Sequence, residues 1–136
     1  MNIMEKIYQR AKAVPQKVAF PEATEEKILL AARECADKGI CIPVLVGVPE
    51  DIIGAAKGYN ISLDGITVVD AYEEEGLAQL ITEYTEKYPL NSAKTMKRKS
   101  KDPMYTTLMM QAIGRVDVTF AGMIHSTEDV LSLIHI

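Results

Sequence analysis

Along this chain the apolar positions alternate between helical spacing and short unbroken runs. Ile3, Ile7, Tyr8 and Ala11 recur at three- and four-residue intervals, which predicts an amphipathic helix over residues 3–13. Val14-Pro15-Gln16 breaks it, and the run 17–20 (KVAF), closed by Pro21, reads as a buried strand. Thr24 is the expected N-cap of the next helix, with Glu25 and Glu26 in the first turn, where the helix dipole favours negative charge. Ile28, Leu29, Ala32, Cys35 and Ala36 form one apolar stripe. Lys38-Gly39 then supplies a stop: a cation in the last turn, followed by a residue able to take the left-handed conformation.

The alternation continues. Residues 42–46 (IPVLV) predict a second buried strand, with Pro43 near its start or at a sheet edge because proline cannot donate to the ladder. Pro49 opens a helix that Gly58 closes, and 66–69 (ITVV) predict a third buried strand. Leu77, Leu80, Ile81 and Tyr84 line one side of a helix over 73–87, ended by Pro89. Asn91 or Ser92 caps a short basic helix, and Asp102-Pro103 starts another that ends at Gly114. Residues 116–121 (VDVTFA) read as a fourth strand, 122–125 as a turn, and Ser126 or Thr127 as the cap of a last helix. Strand–helix alternation of this kind implies a parallel sheet covered on both faces, an α/β domain of three layers. The last helix has hardly begun when the sequence closes on LSLIHI, so a truncated chain is expected.

At 136 residues the chain holds about one domain, and with 48% apolar residues it can bury a core. A net charge of −4 argues against a general nucleic-acid binder, which presents a strongly basic face. No run approaches a membrane span, and the charged N-terminus is unlike a signal peptide. A soluble, cytoplasmic protein is expected. Cys35 and Cys41 fit no zinc spacing and have no histidine near them, so both are read as small buried residues in a reducing compartment; no metal site is expected.

Chemistry has few places to reside. The turn from Gly122 through His125, Ser126 and Thr127 joins a predicted strand to a predicted helix, where free backbone N–H groups and the dipole attract anions such as phosphate. The competing reading is a plain N-cap with a hydrogen-bonded turn histidine. Pro21-Glu22-Ala23-Thr24 is a second strand-to-helix turn; Glu22 either faces the same cleft or is solvated, and the solvated reading is preferred. Lys94, Lys97, Arg98, Lys99 and Lys101 either meet a phosphate-rich ligand or form a solvated helix face.

Taken in order, these segments resemble one family, the phosphate acetyltransferases. The resemblance is carried by 17–32 (KVAFPEATEEKILLAA), 38–51 (KGICIPVLVGVPED), 66–70 (ITVVD), 102–122 (DPMYTTLMMQAIGRVDVTFAG) and His125-Ser126-Thr127 with Asp129, which is similar to an H-S-T-x-D signature. Met123 and Ile124 stand where relatives commonly show a small-residue turn, and Ser132 where many carry arginine. The resemblance implies an isocitrate/isopropylmalate dehydrogenase-like fold with the active site in a cleft between two α/β domains, and direct acetyl transfer between acetyl phosphate and coenzyme A. Coenzyme A is then a substrate, with no permanently bound cofactor and no metal. Gly122, His125, Ser126 and Thr127 would line the phosphate side, while Lys87 and Arg98 are candidate contacts for coenzyme A or phosphate.

The resemblance places the catalytic residues in a C-terminal half that this chain lacks. Residues 1–130 are therefore expected to be a partial N-terminal domain, inactive and poorly soluble by itself, and 131–136 a non-native tail. A homodimer is implied for the complete protein. Two other readings stay open: a phosphate butyryltransferase, and a non-catalytic regulatory domain like those fused to malic enzymes.

Overall fold

The computed structural model describes residues 3–120. In chain order the elements are α1 (Ile3–Ala13), β1 (Gln16–Phe20), α2 (Glu26–Lys38), β2 (Cys41–Gly47), α3 (Pro49–Gly58), β3 (Thr67–Asp70), α4 (Glu74–Lys87), α5 (Ala93–Lys99), α6 (Pro103–Ala112) and β4 (Val118–Thr119). The strands form one parallel sheet in the order β3-β2-β1-β4.

Side-chain alternation along the inner strands divides the core in two. Ala19, Val44 and Val46 point to one face and pack with Leu80, Ile81 and Tyr84 of α4, Met96 of α5, and Met109 and Met110 of α6. Phe20 and Leu45 point to the other, against Ile28, Leu29 and Ala32 of α2 and Ile52 and Ala56 of α3. The result is the expected three-layer α/β arrangement. The chain lays down β1, β2 and β3 outward on one side with α2 and α3 on one face. It then returns through α4, α5 and α6 on the other face to place β4 beside β1.

Local chemistry explains most element ends. Gly39 terminates α2 in the left-handed conformation (φ 67°), its N–H bonding the Ala36 carbonyl while Ile40 N–H reaches Cys35. Side chains of Glu73, Ser92 and Asp102 cap α4, α5 and α6 by accepting from the backbone N–H of Gly76, Thr95 and Met104.

Several expectations need correction. Thr24 is not the cap of α2. The turn continues, Glu25 N–H bonds the Glu22 carbonyl, and Glu25 takes the cap position without a side-chain hydrogen bond. The third strand is Thr67–Asp70 and only half-buried, because it is the sheet edge rather than an interior strand. Pro43, by contrast, lies as expected near the start of its strand, the interior strand β2, one residue before the β3 ladder begins at Val44. The strand expected over 116–121 is shorter: Val118–Thr119 pair with Val18 and Ala19, and Val116 serves the core instead. Ala121 lies outside the described residues. Cys35 and Cys41 are only partly buried, since they lie where α2 ends and β2 begins.

Candidate functional site

In an open parallel sheet, ligands bind beyond the carboxyl ends of the strands, where the chain switches from winding one way to winding the other. Here that point lies between β1, from which the chain moves outward to β2, and β4, to which it returns. The β1–β4 register, with Asp117 N–H donating to Lys17 O at 2.9 Å and Phe120 N–H to Ala19 O at 2.8 Å, carries both strands to that edge. Lys17 N–H also donates to the Asp117 carboxylate at 2.8 Å. The rings of Phe20 and Phe120 meet there with centroids 5.7 Å apart.

Glu22 leaves the same edge. The preferred reading of it as solvated is wrong: it is 3% exposed, and Ala23 beside it is equally buried. A carboxylate is rarely buried unless its oxygens are engaged, so the β1–α2 turn is a built part of this edge. Gly122, His125, Ser126 and Thr127 follow Phe120 in the sequence but lie outside the described residues.

A second concavity sits at the β3 end of the same edge. It is an open cavity of about 380 Å³ bounded by Tyr72 and Leu77 and by Lys94, Lys97, Arg98 and Lys101. Tyr72 is fixed at both ends. Its N–H donates to Asp70 Oδ1 at 2.8 Å and its hydroxyl to the Lys101 carbonyl at 2.6 Å. Burial, then the nearby Asp102 carboxylate, raises the phenol above its ordinary pKa and keeps it a donor. A smaller cavity of about 160 Å³ lies between α4 and α6 and is lined in part by Thr106, whose hydroxyl is buried and without a hydrogen-bond partner among the described residues.

The two cations singled out in the sequence part company. Arg98 borders the large cavity. Lys87 does not: its ammonium donates to the Ala112 carbonyl at 2.8 Å and sits 5.7 Å from the Tyr88 ring centre. It thereby satisfies a terminal carbonyl of α6. Lys87 is also ten residues along α4 from Leu77, roughly 15 Å at the helical rise, towards the amino ends of the strands. Tyr72 was not singled out in the sequence. Its only local signal is its position two residues after the strand's last residue, Asp70.

Among the described residues no group of His, Cys, Asp and Glu is arranged to hold a metal, and no helix is long and apolar enough to cross a membrane.

The comparisons follow this geometry. The family model described as phosphate acetyl/butaryl transferase matches residues 2–135. A phosphate acetyltransferase of Acetivibrio thermocellus is 31% identical over 136 residues, covering 96% of this chain and 40% of its own length. That of Thermoanaerobacterium thermosaccharolyticum is 32% identical over 133 residues, with the same coverages of 96% and 40%. The chain thus spans two fifths of the length of these relatives. A solved phosphotransacetylase from Streptococcus pyogenes superposes with a TM-score of 0.82 at 20% identity, covering 98% of this chain and 42% of that one, a likeness of fold. The ordered segments, the doubly wound sheet and the match over residues 2–135 together make this chain a member of the phosphate acetyl/butaryl transferase family.

Proposed function

We propose that this chain forms one wall of an acyl-transfer site that moves acetyl between acetyl phosphate and coenzyme A. The observation that carries the reading is the family match over residues 2–135, joined by relatives named phosphate acetyltransferase at 31% and 32% identity. In the reaction, the thiol sulfur of coenzyme A bonds to the acetyl carbonyl carbon, the carbon–oxygen bond to phosphate breaks, and a base takes the thiol proton. Donors must meet the phosphate as its charge grows.

Gly122, His125, Ser126 and Thr127 are the residues we assign to that phosphate. Their support is the sequence: a glycine that admits close approach, then hydroxyl and imidazole groups, directly after the strand at the switch point. Buried Glu22 enters the same edge from β1 and holds the β1–α2 turn there. Lys87 is assigned to packing, because its ammonium is engaged by the Ala112 carbonyl. Coenzyme A is a substrate in this reading, and no cofactor is held permanently. The complete protein acts as a cytoplasmic homodimer.

The test is acetyl transfer by the reading frame that contains this chain. Coenzyme A-dependent consumption of acetyl phosphate with acetyl-coenzyme A formed is the expected result. Faster turnover of butyryl phosphate would replace acetyl by butyryl, and absence of both activities in a folded protein would overturn the reading.

A further inference from the structure

The sequence leaves the basic run of α5 undecided between a ligand site and a solvated face. Its placement decides. Lys94, Lys97 and Arg98 stand at i, i+3 and i+4 on α5, so they share one face; Lys101 follows in the turn after the helix, and all four border the cavity beside Tyr72. Lys99, off that spacing, lies instead 5.6 Å from the Tyr105 ring centre. An ordinary solvated helix offsets such charges with carboxylates a turn away. Residues 93–101 contain none; Asp102, the next residue, is engaged as the cap of α6 and lies near the Tyr72 hydroxyl, and the four cavity cations form no ion pair among the described residues. Like charges at this spacing repel, so α5 carries a small cost with no internal return.

The rest of the cavity is not cationic. Tyr72 is 44% exposed, yet its backbone is tied to Asp70 and its hydroxyl to Lys101. Leu77 adds an apolar wall. A rigid, accessible ring offers stacking to a flat heterocycle at little entropic cost. Cations beside it suit phosphate oxygens. A volume near 380 Å³ is within the range of small-molecule sites.

We infer that the α4–α5 cavity binds the nucleotide portion of a phosphorylated ligand, the base against Tyr72 and the phosphates on Lys94, Lys97, Arg98 and Lys101. The inference deepens the proposed function and rests on it for one of two sources of the same chemistry: the nucleotide end of coenzyme A, or a free nucleotide. Tyr72 follows β3, which lies three strand spacings from β4 across the sheet, roughly 14 Å. A ligand held here by its nucleotide can therefore extend its other end towards the β1–β4 switch point.

The probe is adenosine 3′,5′-bisphosphate, titrated calorimetrically into the 136-residue chain, with ATP and inorganic phosphate in parallel. Binding of the bisphosphate is expected to weaken about tenfold or more in the double variant Lys97→Glu/Arg98→Glu, without a lowered melt, because both side chains are exposed and the exchange relieves like-charge repulsion. Tyr72→Phe, which keeps the ring and loses its tether, is expected to weaken it less than Tyr72→Ala. If the bisphosphate binds more tightly than ATP, the site holds with coenzyme A as its source. If ATP binds as tightly or better with the same sensitivity, the site holds with a free nucleotide as its source. Undiminished binding in the double variant, or no binding of either nucleotide by folded chain, overturns the inference. In the reading frame that contains this chain, the same double variant is expected to raise KM for coenzyme A about tenfold and leave KM for acetyl phosphate unchanged. Acetyl transfer with both KM values unchanged defeats the coenzyme A assignment alone. Nucleotide binding without any acyl transfer defeats the enzymatic reading and leaves the cavity standing.

Discussion

Helices α2 and α5 use charge in opposite ways. On α2 two of the three cations have a carboxylate four residues away: Arg33 meets Asp37 at 2.8 Å, and Lys38 meets Glu34 at 2.7 Å. Arg33 does more, donating through Nη1 to the carbonyls of Ser62 and Asp64 at 2.9 and 2.8 Å, which pins the loop before β3. On α5 and in the turn that follows it, the four cavity cations have no such partners among the described residues. The charges of Arg33 and Lys38 on α2 are satisfied within the fold, whereas those around the cavity are left available to something outside it. The two helices are alike only in how they are anchored, by Ile28, Leu29 and Ala32 on α2 and by Met96 on α5.

The largest expected effect tests that shared anchoring. Leu29→Ala removes a side chain that is 1% exposed and is expected to cost about 2–5 kcal/mol, read as a lower urea midpoint. Met96, also 1% exposed, should behave likewise. Should Met96→Ala cost far less than Leu29→Ala, α5 is only loosely seated, and its cations are not held as the cavity requires.

A second effect marks the junction at the far end of α2. Burial, then the neighbouring Cys35 and its hydrogen bond, pushes the Cys41 thiol from 9.0 up to about 12. That leaves about a thousandfold less thiolate at pH 8 (12 − 9.0 = 3 decades), so aromatic-disulfide reagents should label Cys41 slowly until the chain unfolds. The sign for stability follows. The unfolded thiol loses its proton first, so the contribution is fully present below pH 9 and declines as pH rises towards 12. Cys41→Ala should flatten that part of the pH profile. Rapid labelling of the folded chain at pH 8 would show the thiol to be exposed.

The fold was legible wherever a local pattern determines the outcome. The stripe of α2, the Gly39 stop, the Pro49 start and the capping residues Ser92 and Asp102 need only neighbours in sequence. Strand order does not live in local pattern. For that reason 66–69 looked like a buried strand when β3 is an edge, and nothing along the chain announced that β4 returns beside β1. The same gap hid the site. Glu22 reads as a polar turn residue until the sheet closes round it, and Tyr72 reads as any tyrosine until α5 folds back on it. Lys87 and Arg98 are indistinguishable as basic residues near helix ends. Only their surroundings assign one to a carbonyl of α6 and the other to the cavity.

The next prediction contrasts the charges directly. Arg33→Ala unmakes the pair with Asp37 and leaves the Ser62 and Asp64 carbonyls without their donor. It is expected to cost about 1 kcal/mol, whereas Lys38→Ala, which removes one exposed pair, should cost at most a few tenths. Equal losses would mean that the loop contacts contribute nothing.

The smallest effect carries the opposite sign and separates the two helices most sharply. Lys94→Glu replaces a like charge by a carboxylate one turn before Arg98, the favourable order for an i, i+4 pair, near the amino end of α5. It should stabilise the chain by about 0.3–0.5 kcal/mol, a gain no single charge change among the paired residues of α2 is expected to give. The same substitution should weaken binding of adenosine 3′,5′-bisphosphate. Stability rising while affinity falls is the signature of a helix that keeps its repulsion for a ligand. A Lys94→Glu chain that is more stable and binds the nucleotide unchanged would place the ligand elsewhere, and the charges of α5 would then be no different in kind from those of α2.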